Sequence, residues 1–330
     1  MSRFSFRRLM GLLVGAGIAV GTATSVMAAD TKVRYAVDGF VLGTLIRVAE
    51  AKGYLAEENI EPVMLTFSYG VDTVDAVLAG QADFGVIIDM PLLTRLSSGK
   101  LAVPALIGTP NPGWHKLYVT QDYKGPEDLK GKKIAVATGT AQEFVTRTHL
   151  RDNGINPDED VELVGLGSLF EIIGAMKAGR VDAAWIWGQG VEQIADDERY
   201  RFEADDSIVN QKTTALLVVS KDFLANNRDA VVGTLKALDK AGAVVKSNIE
   251  EAAAIVAKGI AGDATKVKPV IMGQNYGLSF EQSAMDSLKD KYDFLIAQGV
   301  IDPPYDYAAQ FDLGVLKEAA PDAPSVDSLD

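Results

Sequence analysis

Shifted by 99 positions, the chain matches itself. The segment EPVMLTFSYGVDTVDAVLAGQADFGVIIDMP (61–91) lies ungapped on DVELVGLGSLFEIIGAMKAGRVDAAWIWGQG (160–190), with Ala76/Ala175, Ala79/Ala178, Gly80/Gly179, Asp83/Asp182 and Ile87/Ile186 identical. The hydrophobic rhythm carries the match further than these identities do. Each copy reads as an extended run, a Gly/Ser loop, a short amphipathic helix, a G-x-x-D turn and an apolar strand. Upstream, VRYAVDG (33–39) falls on IAVATGT (134–140) as strand plus loop. Each half is therefore expected to be a β-α-β-α-β unit.

Continuous apolar strands alternating with helices imply α/β lobes with parallel sheets covered on both faces. Ligands of such sheets sit outside the carboxyl ends of the strands. In the first lobe those ends are residues 38–40, 67–70 and 89–91; in the second they are 138–140, 166–168 and 187–189. HKLYVT (115–120) reads as a strand leaving the first lobe, and TTALLVVS (213–220) as one returning to it. The expected organisation is a first lobe of residues 30–120 and 213–330 and a second of 121–212, joined by two crossing strands with a cleft between them. From Lys221 onward the pattern is mainly helical. Val231, Leu235, Leu238 and Val245 share one helix face, and Ala284, Leu288 and Leu295 another. The segment after Pro321 is polar and reads as a loosely held tail.

Residues 1–29 do not belong to this pattern. Arg3, Arg7 and Arg8 precede a short apolar run, Leu9 to Val20, and Val26 and Ala28 offer small residues at a cleavage site. This is the signature of an export signal, and the run is shorter than the roughly 20 residues a spanning helix needs. Its removal takes the net charge from −13 to −16, which argues against nucleic acid as a partner. The chain has no cysteine, hence no disulfide framework and no thiolate metal site. Its two histidines, His115 and His149, lie on different predicted elements, without metal-ligand spacing to a carboxylate. No motif of a catalytic constellation or of a dinucleotide or phosphate loop is present. No reaction, cofactor or metal follows from the sequence, and a soluble periplasmic protein fits best.

The strand ends supply the candidate site. Asp89 closes the strand of the first copy at its ligand end, where a carboxylate suits an ammonium or ring N–H group; it can equally cap a helix beginning at Pro91. Asp38 has the same two readings. Asp83 and Asp182 lie at the opposite end and read as turn formers. In the second lobe, the helix start after Thr138 and Thr140 can present amides to an anionic oxygen cluster, although Thr140 and Glu143 also form a capping-box pattern. Ser168 adds a second donor. Phe40, Tyr69, Trp114 and Trp187 fall in or beside the same loops and can wall a ligand or stack on a ring. Trp185 lies mid-strand and reads as core.

AKGYLAEENIEPV, VLAGQADFGV, PEDLKGKKIAV, KAGRVDAAWIW and VVSKDFLANN, in this order and spacing, resemble the solute-binding proteins of nitrate, sulfonate and taurine ABC importers from about Thr31 to Val300. The resemblance implies a periplasmic binding protein of type II fold, a monomer that closes on a small-molecule ligand and delivers it to a permease and its ATPase. An aminosulfonate, taurine-like, or alkanesulfonate ligand is expected, with a pyrimidine or other cationic nitrogen compound as the alternative. Asp89 and Met90 replace the small hydroxyl residues of the resembled taurine binders, which makes both candidate ligand contacts. Ala215 stands where those binders tend to place an acidic residue. A sensory module or a periplasmic enzyme on the same fold would use the same cleft.

Overall fold

Runs of Val, Ile and Leu without polar alternation belong in the middle of a helix-covered sheet, since both faces must be buried. The computed structural model describes residues 31–111, 113–188, 190–209 and 212–329, so the export signal read at 1–29 and Gln189 of the last cleft loop fall outside the described residues. Strands β1 (Thr31–Asp38), β2 (Ile60–Phe67), β3 (Phe84–Ile88), β4 (Leu101–Pro110), β10 (Ala215–Ser220) and β11 (Gln274–Ser279) form one sheet in the order β11-β4-β10-β3-β1-β2. Strands β5 (His115–Thr120), β6 (Lys133–Ala137), β7 (Glu162–Leu166), β8 (Ala183–Trp187) and β9 (Tyr200–Asp205) form the other in the order β7-β6-β8-β5-β9. The apolar runs of β3, β4, β8 and β10 take interior positions. Strand β2, with Pro62 and a half-exposed pattern, is an edge, where a missing N–H is tolerated.

The first lobe carries helices α1 (Thr44–Ala51), α2 (Tyr54–Glu57), α3 (Gly70–Leu78) and α4 (Asp89–Leu96). The second carries α5 (Ala141–Asp152), α6 (Leu169–Lys177) and α7 (Gly190–Ile194). After β10 come α8 (Lys221–Asn226), α9 (Arg228–Ser247), α10 (Ile249–Gly259), α11 (Ala264–Met272), α12 (Gln282–Ala297) and α13 (Leu313–Ala319). As expected, Val231, Leu235, Leu238 and Val245 of α9 and Ala284, Leu288 and Leu295 of α12 are buried in the first lobe's core.

The repeat holds in the backbone. After the 99-residue shift α3 coincides with α6 and β3 with β8 end for end, and β1 and β2 stop where β6 and β7 stop, so VRYAVDG (33–39) lies on 132–138, two residues before the match expected from sequence. The next strand in each sheet is antiparallel, β10 beside β3 and β5 beside β8, with Ala215 opposite Ile88 and His115 opposite Trp187. The G-x-x-D turn works the same way twice. Asp83 accepts the N–H of Arg34 at 2.8 Å, and Asp182 accepts that of Lys133, the shifted counterpart of Arg34, at 2.8 Å. Gly80 and Gly179 supply φ of 70° and 65°, a region in which a Cβ is strained. Both aspartates have the turn role read from the sequence.

Sheet membership moves the expected lobe boundary. Residues 115–120 do not belong to the first lobe: β5 pairs with β8 and β9 inside the second sheet. The strand that leaves is β4, so the crossings are residues 111–114 and 206–214. The misplacement has a simple cause, because β5 and β10 occupy the same antiparallel slot in the two sheets and their apolar pattern does not say which sheet receives them. The tail is also corrected. The Phe280 N–H donates to the Pro324 carbonyl at 2.7 Å and the Val326 N–H to the Phe280 carbonyl at 2.9 Å, while Val326 and Leu329 pack against the core.

Helix α3 sits close on β3. A Cβ at Gly70 would lie 3.0 Å from the Val86 carbonyl oxygen and 3.2 Å from the Ile87 Cα. Both neighbours are backbone, so the first turn of α3 must lift to admit a methyl. Gly70→Ala is expected to lose about 1–3 kcal/mol by overpacking, read as a lower urea midpoint. At Gly174 of α6 a Cβ meets nothing within 4 Å, and Gly174→Ala is expected to gain up to about 1 kcal/mol in helix propensity.

Candidate functional site

Asp89 is not at the rim of the cleft. It is the first residue of α4, with Ile88 as the cap, and its side chain is 0% exposed. The Asp89 N–H donates to the Thr214 carbonyl at 3.0 Å. Its carboxylate accepts the N–H groups of Met90 at 2.7 Å and Thr214 at 2.9 Å, and the ammonium of Lys291 at 2.6 Å. Met90 is likewise fully buried, so neither residue presents its side chain to a solute in this arrangement. A carboxylate withdrawn from water needs a cation or donors, and the chain supplies its own from α12. The sequence held a signal for this. Lys291 falls on the face of Ala284, Leu288 and Leu295, and a lysine on an apolar face asks for a buried partner.

Asp38 follows its capping reading. Its carboxylate accepts the N–H groups of Phe40 at 3.1 Å, Leu42 at 3.3 Å and Gly43 at 2.8 Å, filling the amide nest before α1. Burial pushes its carboxyl above the ordinary aspartate range, against the opposing pull of these N–H groups and of Arg47. Arg47 donates to the Asp38 carbonyl at 2.7 Å and so holds the loop from behind. The donor-binding carboxylates expected of the first lobe are thus both engaged within the protein.

The aromatic residues behave differently. Phe40 and Tyr69, at the ends of β1 and β2, are 57% and 58% exposed and stack at 6.2 Å between ring centroids. Trp114, on the first crossing, is 38% exposed and borders a cavity of about 130 Å³ with Thr109, Asn111, Asp206, Lys212 and Thr213. Trp187 is half-buried with His115 edge-on at 6.0 Å, and Trp185 is core. Phe170, not singled out from sequence, is 57% exposed in the first turn of α6. Its signal was its place two residues past Ser168, just outside the loop bounds drawn from the repeat.

The second-lobe hydroxyls divide. Thr138 is exposed, while Thr140 donates to the Ala137 carbonyl at 2.7 Å and does not cap α5. Glu143 accepts the Gly139 N–H at 2.8 Å and the Arg147 side chain at 2.8 Å. The cap expected at α5 is instead found at α6, where Ser168 accepts the Glu171 N–H at 3.2 Å, while Glu171 accepts the Gly167 N–H at 3.0 Å. The first-turn amides of α5 lack intrahelical acceptors by geometry, and Arg147 offsets the charge of Glu143 beside them.

The two crossings are clamped by one carboxylate. Asp206 accepts the N–H groups of Gly113 at 2.5 Å and His115 at 3.0 Å, and pairs with the His115 ring at 2.9 Å. This His–carboxylate contact spans 91 residues and has no signature in local spacing. Burial alone would raise the Asp206 carboxyl, but the hydrogen bonds from the His115 ring and the two backbone N–H groups outweigh it and hold the group below the usual 3.8. A depressed carboxylate stabilises the fold above its unfolded pKa and loses that contribution as pH falls through the folded value. The stability gap between wild type and Asp206→Asn is therefore expected to be full at neutral pH and to shrink below 3.8, as urea midpoints at stepped pH will show. Asp89→Ala leaves a buried ammonium unpaired and is expected to lose about 3–5 kcal/mol of stability in the same measurement.

Comparison with known proteins agrees with this geometry. A protein of Brucella abortus (strain 2308) described as a binding protein is 27% identical over 219 residues, covering 65% of this chain and 67% of that protein. The taurine-binding periplasmic protein of Escherichia coli (strain K12) is 28% identical over 189 residues, 56% of this chain and 58% of that protein. Among solved structures, the periplasmic aliphatic sulphonate binding protein SsuA from Escherichia coli superposes with a TM-score of 0.70 at 19% identity, covering 84% of this chain and 91% of that one. The periplasmic nitrate-binding protein NrtA from Synechocystis does so at 0.62 and 13%, covering 88% of each. The fold is that of periplasmic binding proteins. The model of the family described as NMT1/THI5 like matches residues 43–252, and the chain belongs to that family.

Proposed function

We propose that this protein is the substrate-binding component of an ABC importer, a monomer that captures a small organic sulfonate in the periplasm and hands it to a permease and its ATPase. The observation that carries the ligand class is the internal neutralisation of the first-lobe carboxylates: Asp89 is spent on Lys291 and Asp38 on three amides. What remains at the strand ends is aromatic surface, Phe40, Tyr69 and Phe170, and the first-turn amides of α5, where Arg147 offsets Glu143. That combination suits an anionic head on an apolar body. An alkanesulfonate fits it better than taurine, whose ammonium would need a free carboxylate, and Ala215 supplies none. The alternative of a pyrimidine or cationic nitrogen compound loses the residue on which it chiefly rested.

Binding proceeds by lobe closure over the crossings at 111–114 and 206–214, the solute favouring the closed form because it touches both lobes at once. Micromolar affinity corresponds to about −8.2 kcal/mol. Two or three charge-assisted hydrogen bonds, each contributing about 1.5–3 kcal/mol, and aromatic burial reach that after ordering costs. No step of this process makes or breaks a covalent bond, so no turnover is assigned.

A thermal-shift screen of the mature protein against alkanesulfonates, taurine, nitrate, pyrimidines and simple amines tests the reading, because a ligand of the folded state raises the melting temperature. The largest shift is expected from alkanesulfonates, with a smaller one from taurine. Shifts confined to amines or pyrimidines would refute the anionic assignment.

A further inference from the structure

Lys291 holds more than Asp89. An ammonium has three N–H donors. Here one reaches Asp89 and another the Lys212 carbonyl on the second crossing, while the Phe144 ring of α5 lies with its centroid 5.8 Å from Nζ. Asp89 in turn accepts the Thr214 N–H of the same crossing. Phe144 belongs to the second lobe by sequence and strand connection, yet it is buried with the first lobe's core, edge-on to Phe294 of α12 at 5.3 Å. The β3–α4 junction, the 212–214 crossing, helix α12 and the second lobe therefore meet at one fully buried ammonium.

We propose that Lys291 is a positioning residue for solute binding, fixing the angle between the lobes by tying the second crossing to the first lobe and seating Phe144 of the second lobe over the ion pair. Phe144 is the part of this junction that moves when the crossings flex. With α5 withdrawn, the ring leaves both Phe294 and the ammonium, and water reaches a pair that is now dry. Cation, aromatic edge and apolar contact thus all favour approach of the lobes before any solute arrives, and a solute has correspondingly less closure to drive. This role does not depend on which solute the cleft takes.

The test uses the full mature chain without ligand. Lys291→Met alone strands a buried carboxylate and lowers the melting temperature, so it is paired with the double variant Asp89→Asn/Lys291→Met, which removes both charges and is expected to recover most of that loss. The double variant and Phe144→Ala are both expected to show a larger radius of gyration in small-angle scattering. Amide exchange at 212–214 and in the first turns of α5 is expected to be about tenfold faster than in wild type, with β1 and β3 unchanged. Wild-type scattering and exchange in both variants would overturn the proposal. So would a uniform rise in exchange across both sheets, since that marks general loosening and not lobe placement. Neither outcome bears on the sulfonate assignment, which the ligand screen tests separately.

Discussion

A lysine and an aspartate with no exposed surface between them are the constraint around which the two lobes are arranged. Withdrawing each ion from water costs several kcal/mol, recovered only where geometry is good and the remaining hydrogen-bonding capacity is met. The pair of Lys291 and Asp89 meets both conditions, with the carboxylate accepting two backbone N–H groups besides the ammonium and the ammonium also donating to a carbonyl. Two apolar side chains of similar volume could fill the same space at comparable stability. What they could not do is demand one partner at one angle. The bond joins residues 202 positions apart and draws helix α12 onto the crossing, so its contribution lies in register.

The duplicated frame and the differing loops divide the labour between stability and recognition. Both lobes use the same strand order, the same aspartate on the same neighbouring N–H and the same left-handed glycine. At the carboxyl ends the copies part. The first lobe fills the amides after β1 with its own Asp38, whereas the corresponding residue after the shift is Ala137, leaving Thr138 exposed in the loop that follows. The helix after β2 is preceded by an exposed Tyr69, and its counterpart in the second lobe by Ser168, which caps the helix. Loops on a rigid scaffold are where binding chemistry is expected to vary.

This division also explains what was legible in the sequence. Strand, helix and turn positions in the repeat are fixed by local periodicity and by Gly80, Asp83 and their counterparts, so the two α/β units could be read directly. The destination of β5 could not, because an antiparallel central strand carries the same apolar pattern in either sheet. The burial of Asp89 is hidden from local sequence for a related reason. Its place at a strand end is a local fact, but whether it faces solute or a lysine is decided by α12, far along the chain. The aromatic positions Phe40, Tyr69 and Trp114 are exposed, as their places in the loops suggest, while neither His115 nor Asp206 has a neighbour in sequence that announces the other as its partner.

The sheet order has a bearing on how the chain comes into being. Strand β4 is made before the second lobe, but it does not touch β3; the slot between them is taken by β10, residues 215–220, after the whole of the second sheet has been synthesised. The last bond of the first lobe waits longer still, for residues 324–326 to reach Phe280. During synthesis the earlier lobe is thus a split sheet with an open centre, unable to complete its core. A chain built in this order stays uncommitted until nearly all of its sequence exists.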